Sequence, residues 1–437
     1  MVSPHHTDIL IIGAGTAGVV AAVQAAKSGA RVSVVTQGDG ATALCSGAFD
    51  ICHDPHGIPG DIWKWERKWQ TNIQNAVHAS REHPYCFSTS VQVRDIFQTF
   101  INDLREVEFE LKISREDNLL LPTPIGTWKE TAGGQETQIG SDLFELEGKH
   151  VVIASISNHK NFLSLLLSQQ LRALFEPQKK EVTFSVETID LGIGPNWPDF
   201  AIAKYLEEPK SFEPLLSQLG SIVRKEKPDI IFFPPLLGVE KAKELQTKLS
   251  EKLQVLVVET LGYYESVPGI RFQRALRRLL LHHGVSIIQG RVNRAESERG
   301  RIENVFVSVS DGELSIFPSE IVLASGKWIG GGISQTQGFP IRETIFQLPL
   351  FVDSAAVEDE VPWRLVEKSF QENHKVFRIG VKVNSLFQPL GSSGEVIFDN
   401  LRASGSILTG YDPHREGCGS GVAAVTGFIA ANYGTHQ

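Results

Sequence analysis

The chain has few cysteines, and their spacing excludes two common uses of thiols. Its four cysteines, Cys45, Cys52, Cys86 and Cys418, form no CxxC pair among 437 residues. A cubane iron–sulfur cluster needs four clustered thiolates, so this spacing does not indicate one. It does not indicate a disulfide framework either, and a reducing cytoplasmic environment is therefore expected.

Basic tracts and membrane-length apolar runs are also missing. The chain has 42 Lys and Arg against 51 Asp and Glu, a net charge of −9, which argues against nucleic acid as a partner. Residues 9–26 are apolar but are not preceded by the basic segment with which a signal peptide begins. No run is long enough for a direct membrane span. At this length and with 41% hydrophobic residues, a globular protein of two or three structural units is expected.

A glycine motif near the N-terminus is the most informative feature of the chain. An apolar run over residues 8–12 leads into residues 13–18, GAGTAG, and an amphipathic stretch and a second apolar run follow. This order predicts a strand, a tight turn, a helix and a strand. Gly13 permits the turn, Gly15 lets the backbone approach a phosphate, and Gly18 lets the helix pack on the strand. The helix N-terminus offers N–H groups to an anion, so the motif indicates a dinucleotide or flavin site.

The acidic residue that usually accompanies this motif is missing. It normally follows the second strand and binds the ribose hydroxyls of the adenosine half. Here the strand ends at Thr36, and the next carboxylate is Asp39 in a glycine-rich loop. Arg31 lies at the start of the strand, so no arginine is placed for a 2′-phosphate either. These missing contacts argue against FAD and against NAD(P), and they favour FMN. Thr36 or a backbone carbonyl remains an alternative contact for the ribose of FAD.

Alternating strand and helix patterns between residues 148 and 260 predict a second α/β unit. Strands are predicted at 150–155, 181–186, 230–233 and 255–258, and helices at 162–175, 212–223 and 239–249. This alternation favours a smaller parallel sheet inserted in the chain. Its first turn, residues 155–158, has no glycine fingerprint, so no nucleotide is assigned to it.

The nucleotide-binding type of pattern resumes after residue 262. A helix at 272–283, followed by glycine, leads to a strand that ends at Ile288, and a β-meander is predicted over 302–309 and 314–317. A further strand at 321–324 ends in Ala324-Ser325-Gly326. Small residues at a strand end let the backbone lie flat against a cofactor, and a glycine-rich turn without a ligand is the alternative.

A second glycine-rich segment precedes a helix near the C-terminus. Residues 400–407 predict a strand that ends in Ser404-Gly405, followed by Ser406, and Gly417-Cys418-Gly419 opens a helix over 422–432. The N–H groups at such a helix start favour negative charge on a reduced flavin ring. Two glycine-opened helices, one at each end of the chain, fit a single cofactor.

The predicted fold class is α/β. We expect a Rossmann-like FAD/FMN-binding flavoprotein fold built from discontinuous segments, with an inserted smaller parallel α/β unit and a cap region. The flavin-binding domain is assigned to residues 1–55, 262–336 and 390–437, the cap or substrate region to 56–147 and 337–389, and the inserted unit to 148–261.

These segments resemble a flavoprotein family, the B subunits of the anaerobic glycerol-3-phosphate dehydrogenases, over nearly the whole chain. The resemblance rests on residues 13–18 and 35–36, on Ser46-Gly47-Ala48-Phe49-Asp50, His83-Pro84-Tyr85, Gly269-Ile270-Arg271, Ala324-Ser325-Gly326, Gly331-Gly332, Ile341-Arg342-Glu343, Asn400-Leu401 and the run from Gly405 to Gly419. The run from Gly405 to Gly419 is the most specific of these. Many FAD enzymes carry an acidic ribityl contact where this chain has Ser406.

The resemblance implies an FMN-binding subunit that pairs with a larger FAD-bearing catalytic partner, the A subunit. A third, membrane-associated iron–sulfur partner, the C subunit, passes the electrons to quinone. The chain is therefore expected to be cytoplasmic and peripheral to the inner membrane through its partners. The implied reaction oxidises sn-glycerol 3-phosphate to dihydroxyacetone phosphate. Two other hypotheses stay open: a non-catalytic electron-relay or assembly subunit, and a stand-alone FAD-dependent dehydrogenase or reductase of the fumarate-reductase type.

Oxidation of a secondary alcohol needs a base for the hydroxyl proton and, for this substrate, a cation for the phosphate. His83 is the preferred candidate for the base, with His53 as the alternative. Arg342 is the preferred phosphate clamp, ahead of Lys327, and an ion pair with Glu343 is the alternative role for Arg342. Arg271 is also a candidate but is expected to form a salt bridge at a helix start.

The remaining predicted site residues contact the cofactor. Cys418 lies at a helix N-terminus, where a thiol pKa can fall, but it is expected to pack on the cofactor and not to take part in redox chemistry. The full predicted set is Gly13, Gly15, Gly18, Thr36, Ser46, Gly47, Ala324, Ser325, Gly326, Gly405, Ser406, Gly417, Cys418 and Gly419. No metal ligand is predicted.

Overall fold

The structure is a computed structural model that describes residues 5–54, 62–263, 266–336, 340–352, 354–357, 362–369 and 372–432. The α-helices are α1 (Thr16–Lys27), α2 (Trp69–Ala79), α3 (Ser90–Arg105), α4 (Ser164–Phe175), α5 (Asp199–Leu206), α6 (Pro209–Glu226), α7 (Ala242–Leu253), α8 (Val267–His282), α9 (Lys375–Arg378) and α10 (Gly419–Asn432). The strands are β1 (His5–Ile12), β2 (Val32–Thr36), β3 (Ala48–Phe49), β4 (Leu111–Ile113), β5 (Leu119–Pro122), β6 (Trp128–Thr131), β7 (Gly133–Gln135), β8 (His150–Ile156), β9 (Thr183–Ile189), β10 (Ile230–Phe233), β11 (Leu256–Glu259), β12 (Ser286–Gln289), β13 (Arg291–Glu298), β14 (Arg301–Val309), β15 (Gly312–Leu323), β16 (Ile333–Ser334), β17 (Arg342–Glu343), β18 (Leu350–Val352), β19 (Ala355–Ala356), β20 (Gly380–Val381) and β21 (Leu401–Ala403).

The chain divides into two compact units. The first comprises residues 1–42, 50–109 and 273–437, and the second comprises 43–49 and 110–272. Residues predicted to form a cap are shared between them, since 62–109 belong to the first unit and 110–147 to the second. The three-part division expected from the sequence stays a prediction.

The first unit is built on a sheet with the strand order β12-β2-β1-β15-β14-β13, in which β21 also pairs with β15. The pairs β12–β2, β2–β1, β1–β15 and β15–β21 are parallel, whereas β14 and β13 extend the sheet in antiparallel fashion. In β1, Ile9, Leu10, Ile11 and Ile12 are all buried. Parallel strands that are covered on both faces require apolar runs without alternation. The N-terminal apolar runs therefore mark central strands, as the glycine motif predicted.

One prediction about this sheet is wrong. The sequence suggested separate strands at 314–317 and 321–324, but β15 runs without interruption from Gly312 to Leu323. Its first part pairs with β14 up to Ile316, and its last part pairs with β21 from Ile321 onward. Pro318, which cannot donate a ladder hydrogen bond, lies in the gap between these two partners. The proline therefore does not end the strand.

The helices that follow the two glycine motifs pack directly on each other. A β-carbon added to Gly427 of α10 would lie 2.3 Å from the carbonyl oxygen of Ala17 in α1. A β-carbon on Gly405 would lie 2.7 Å from the β-carbon of the same alanine, and the Gly405 N–H donates to Thr426 Oγ1 of α10. Small residues at these positions allow the close approach of both helices. The two ends of the chain thus meet in the first unit.

The second unit contains the predicted parallel α/β sheet. Its strand order is β11-β10-β8-β9, and every pair in it is parallel. Its core includes the fully buried side chains of Val152, Leu219, Phe233, Leu249 and Val257. The strands agree with the predicted bounds within three residues. Helix α6 extends beyond the predicted range at both ends, and it begins with a proline in its first turn, a position that tolerates the missing N–H.

Candidate functional site

The N-terminal glycine turn has the geometry that its sequence predicts. Gly13 has a φ of +112°, and a β-carbon there would lie 2.3 Å from the carbonyl oxygen of Ala324. A β-carbon on Gly18 would lie 1.9 Å from the carbonyl oxygen of Gly13. At Gly15 the nearest atom would be Thr42 Oγ1 at 3.5 Å, an ordinary contact. The first and third glycines thus serve packing, while the space beside Gly15 at the start of α1 is open.

The segment after β15 lies against this turn. The Ala324 N–H donates to the carbonyl oxygen of Ile12 at 2.9 Å, which places Ser325 and Gly326 at the end of β1. Gly326 has a φ of +74°, and a β-carbon added to it would lie 3.5 Å from Ser406 Oγ. The structure therefore brings together four of the predicted contact regions: the glycine turn, residues 324–326, Gly405 and Ser406.

Three buried hydroxyl groups in this unit indicate a missing polar partner. Ser325 Oγ, Ser404 Oγ and Tyr411 Oη have no hydrogen-bond partner among the residues that the structure describes. Buried hydroxyls are normally satisfied, so these three oxygens are consistent with a ligand that supplies the partners. Together with the open space beside Gly15 and the N–H groups at the start of α1, they fit a cofactor with a phosphate and a polar ring system.

Three further predicted contacts, Thr36, Ser46 and Gly47, make hydrogen bonds or close contacts within their own local structure. The Thr36 hydroxyl donates to the Gly38 carbonyl at 2.9 Å, so it is engaged in its own turn at the end of β2. Ser46 and Gly47 belong to the second unit. There the Ser46 carbonyl accepts from Gln138 Nε2, and a β-carbon on Gly47 would lie 2.4 Å from Gln138 Oε1. A cofactor role for these residues stays a prediction.

Sequence reasoning missed one polar side chain at the glycine turn. Gln273 of α8 donates through Nε2 to the carbonyl oxygen of Ala14 at 3.0 Å, and its side chain is buried. This contact fixes the backbone between Gly13 and Gly15. Its only signal in the sequence was a glutamine on an otherwise apolar helix face, which is not specific.

A cluster of polar side chains, all but Glu416 buried, surrounds the loop before α10; we call His83, Glu416, Cys418, Lys327 and Tyr411 the polar cluster. His83 Nε2 lies 2.9 Å from Glu416 Oε2, and the His83 side chain is 1% exposed. His83 Nδ1 accepts a hydrogen bond from the Tyr85 N–H at 3.1 Å. In a neutral ring this places the proton on Nε2, facing Glu416. Among the described residues His83 Nε2 makes no hydrogen bond despite its closeness to Glu416, and Glu416 carries the more accessible oxygen atoms.

Glu416, which the sequence did not single out, is held by backbone as well. Its Oε1 accepts from the Asp412 N–H at 2.8 Å, and the Glu416 side chain is 17% exposed. Burial raises the pKa of the neighbouring Cys418 thiol well above its usual range, and the charge of Glu416 adds to this. The lowered thiol pKa suggested by its helix position is thus not found, which agrees with the expected packing role.

Lys327 is a buried lysine at the edge of this cluster. Its Nζ donates to the carbonyl oxygen of Phe377 at 2.7 Å and lies 5.1 Å from the centre of the Tyr411 ring. Burial lowers the pKa of Lys327 from 10.5 to about 7, although nearby Asp412 raises it. A buried amine that titrates near neutral pH is typical of a functional site.

We expect Lys327→Met to stabilise the protein, by about 1–2 kcal/mol at pH 7 once the lost hydrogen bond to Phe377 is subtracted. Because the folded pKa of Lys327 lies below the unfolded one, the unfolded chain binds more protons between about pH 7 and 10.5, and wild-type stability rises with pH there. The difference in free energy of unfolding between variant and wild type, measured by thermal unfolding, should be largest at pH 7 and should narrow toward pH 10. Lys375→Met, at an exposed lysine, is the control, and an equal gap at both pH values would contradict this account.

The arginine candidates have different surroundings. Arg271 donates to both carboxylate oxygens of Glu259, to Oε1 at 2.9 Å and to Oε2 at 2.6 Å, within the second unit. The salt bridge expected for Arg271 is therefore present. Arg342 is exposed on β17. The carboxylate of Glu343 accepts from the N–H groups of Ile345, Phe346 and Leu348, so it closes the following turn. The clamp role of Arg342 stays a prediction.

The comparisons with known proteins agree with this geometry. A sequence profile described as an FAD binding domain matches residues 8–192 and 227–422, which together make up most of the chain. The chain belongs to this FAD-binding family. It is a flavin-binding protein of an oxidoreductase family with an α/β fold, as the sequence predicted.

Curated relatives carry the name that the sequence motifs suggested. The chain is 27% identical over 433 residues to the anaerobic glycerol-3-phosphate dehydrogenase B subunit of Vibrio vulnificus, covering 97% of this chain and 95% of the relative. It is 23% identical to the protein of the same name from Yersinia pestis, with 97% of each chain covered. Among solved structures, a 3-ketosteroid dehydrogenase from Rhodococcus jostii aligns over 100% of this chain and 98% of its own, at 11% identity and a TM-score of 0.41. The predicted resemblance to the B-subunit family is confirmed.

No membrane-spanning segment is predicted from the sequence. Among the residues that the structure describes, no helix combines the length and the hydropathy that a membrane crossing requires.

Proposed function

We propose that this chain is the flavin-bearing B subunit of a glycerol-3-phosphate dehydrogenase complex that oxidises sn-glycerol 3-phosphate to dihydroxyacetone phosphate. The observation that carries the proposal is the polar cluster, a buried set of acid–base groups in the same unit as the glycine turn. The similarity to relatives of that name over 97% of the chain supports the substrate. Under this proposal the electrons pass toward quinone.

We propose FMN as the flavin. The end of β2 has no carboxylate, and the hydroxyl of Thr36 is engaged with Gly38. A contact for the adenosine ribose is therefore missing where related folds place it. FAD is the alternative that the family description favours. Chromatography of the flavin released from the denatured protein, against FMN and FAD standards, distinguishes them.

The polar cluster supplies the acid–base groups of the proposed reaction. When bound, the flavin accepts a hydride from the substrate carbon. The Glu416 carboxylate would take the hydroxyl proton, and His83 would act on that carboxylate from its far side, 2.9 Å away. In this arrangement His83 positions Glu416 and does not itself take the proton. Arg342 would hold the phosphate, as an exposed guanidinium can do with a dianion.

Partners are part of the same proposal. The name of the relatives describes a subunit, and this chain has no cysteine cluster for iron and sulfur. We propose that two partners complete the electron path, a larger FAD-bearing A subunit and a membrane-associated iron–sulfur C subunit. The chain would then reach the inner membrane from the cytoplasm only through these partners.

We expect Glu416→Gln to lower kcat for glycerol 3-phosphate oxidation by about a hundredfold, the lower end of the range for a general base. The assembled complex is assayed with an artificial electron acceptor, and flavin content is measured in parallel. Glu313→Gln, at an exposed glutamate of the same unit, is the control. Unchanged kcat with full flavin content would remove Glu416 from the reaction.

One observation favours a second function, electron relay without substrate turnover. Nδ1 of His83 accepts from the Tyr85 N–H, and the His83 and Cys418 side chains are almost fully buried. A relay subunit needs a flavin but no proton acceptor. If the complex oxidises the substrate normally when Glu416 and Arg342 are replaced, the relay function is the better description.

A further inference from the structure

A group of two histidines and one glutamate lies apart from the polar cluster, where the C-terminal ends of α3 and α8 meet in the first unit. Glu106 follows the last residue of α3, His282 is the last residue of α8, and His283 follows it. His283 Nε2 lies 3.1 Å from Glu106 Oε2, and His282 Nε2 lies 3.5 Å from the same oxygen. The three ligand atoms are all within 4.8 Å of one another.

These separations are those of ligands around a single small cation. A tetrahedral Zn²⁺ with bonds of about 2.0–2.1 Å separates its ligand atoms by about 3.3–3.4 Å. The two measured separations from Glu106 lie on either side of that value. His283 Nε2 is buried and makes no hydrogen bond in the described part of the chain, although the carboxylate oxygen is only 3.1 Å away. The two atoms are therefore close, but their orientation is not that of a hydrogen bond. A bound cation between them would not require that orientation.

The electrostatic surroundings also favour a cation. Carbonyl groups at the C-terminal ends of helices carry partial negative charge, and two such ends meet here. Glu106 adds a full negative charge at the end of α3, where a carboxylate is unfavourable by itself.

Neighbouring residues hold the group in place. Glu106 Oε1 faces Lys27 Nζ at 3.9 Å, which leaves Oε2 directed to the histidines. Lys27 is itself paired with Asp103, and Asp103 accepts a further hydrogen bond from Gln24 at 3.2 Å. On α8, Gly284 has a φ of +68° and ends the helix directly after the two histidines. Such outer contacts orient ligands in metal sites.

The polar cluster offers a similar set of atoms but different chemistry. There His83 Nδ1 accepts from the Tyr85 N–H, so Nε2 carries the proton and is not a free ligand. Burial raises the pKa of the Cys418 thiol, which keeps the sulfur protonated. A transition-metal ion requires a free imidazole nitrogen and a thiolate. Neither a thiol nor an Nδ1 that accepts a backbone hydrogen bond occurs among the ligand atoms at the ends of α3 and α8.

We propose that Glu106, His282 and His283 form a zinc-type metal site, in which two imidazole nitrogens and one carboxylate oxygen bind a divalent cation and water completes the coordination. The site would fasten the end of α3 to the end of α8 and so stabilise the first unit. It is independent of the flavin chemistry, because none of its ligands belongs to the polar cluster.

The test measures Zn²⁺ uptake by the full-length chain after treatment with a chelator. In competition with a chromophoric chelator, wild type is expected to bind one equivalent of Zn²⁺. His282→Ala, His283→Ala and Glu106→Gln should each weaken binding at least tenfold. His78→Ala, at an exposed histidine in the last turn of α2, and Cys418→Ser should leave it unchanged. Zn²⁺ should raise the Tm of wild type and of these two controls, but not that of His283→Ala.

Two results would overturn the proposal. The first is that wild type and His283→Ala take up the same amount of Zn²⁺ with the same affinity, including no uptake by either. The second is that Cys418→Ser abolishes uptake while His283→Ala retains it, which would assign the ion to the polar cluster. Because all three ligands lie at the surface or in the last helical turn, the variants are expected to fold, and circular dichroism checks this.

Discussion

Gly15→Val is expected to abolish flavin binding while the chain remains folded. A valine at this position meets only Thr42 Oγ1, at 3.5 Å from its β-carbon, and the φ of Gly15 is −77°, which any residue can adopt. Its branched side chain would fill the open space at the start of α1, where the N–H groups and the helix dipole are available to a phosphate. Wild-type protein should release about one equivalent of flavin on denaturation, and the variant almost none.

Two further variants distinguish loss of flavin binding from loss of the fold. Gly18→Val would place its β-carbon 1.9 Å from the Gly13 carbonyl and should disrupt the turn itself. Gly220→Val, in α6 of the second unit, meets no atom closer than 3.5 Å and is the control that keeps its flavin. Circular dichroism and Tm are measured for each. If Gly15→Val retains full flavin content, the N-terminal turn does not hold the phosphate.

This contrast among glycines shows which part of the fold could be predicted from the sequence. The turn, α1 and the central strands follow from local rules. Gly13 has a positive φ, and a β-carbon at Gly18 would collide with the backbone of Gly13. The parallel sheet of the second unit follows from periodicity in the same way. Strand β15 was harder to predict, because a proline in the sequence suggests the end of a strand. In the sheet, Pro318 lies after the segment that pairs with β14 and before the segment that pairs with β21.

The candidate site was predicted only in part, because its chemistry depends on distant residues. The sequence identified His83 but gave no sign that Glu416 lies 2.9 Å from it, or that Tyr85 occupies its other ring nitrogen. Lys327 was one candidate among several cations until its burial beside Tyr411 was known. Patterns in the sequence report backbone requirements directly, whereas the protonation and the orientation of a side chain depend on tertiary neighbours.

The salt bridge that the sequence predicted for Arg271 leads to the second large effect: Arg271→Met is expected to destabilise the second unit by about 3–5 kcal/mol. The guanidinium binds both oxygens of Glu259 and donates to the Gly238 carbonyl at 2.7 Å. Glu259 is fully buried and also accepts from the Leu237 N–H and the Thr137 hydroxyl. Removal of the arginine leaves a buried carboxylate whose charge no cation balances.

Hydrogen exchange localises this effect, because a chain of two units need not unfold in one step. Amides of β10 and β11 should lose protection in Arg271→Met, while those of β1 and β2 keep theirs. The double variant Arg271→Met/Glu259→Gln should recover part of the loss, since the neutral amide can still accept from Leu237. Lys180→Met, which breaks the exposed pair with Glu147, should cost less than about 1 kcal/mol. If Arg271→Met instead left protection unchanged and raised KM for glycerol 3-phosphate, Arg271 would be the phosphate clamp, and the buried pair would have to open for the substrate.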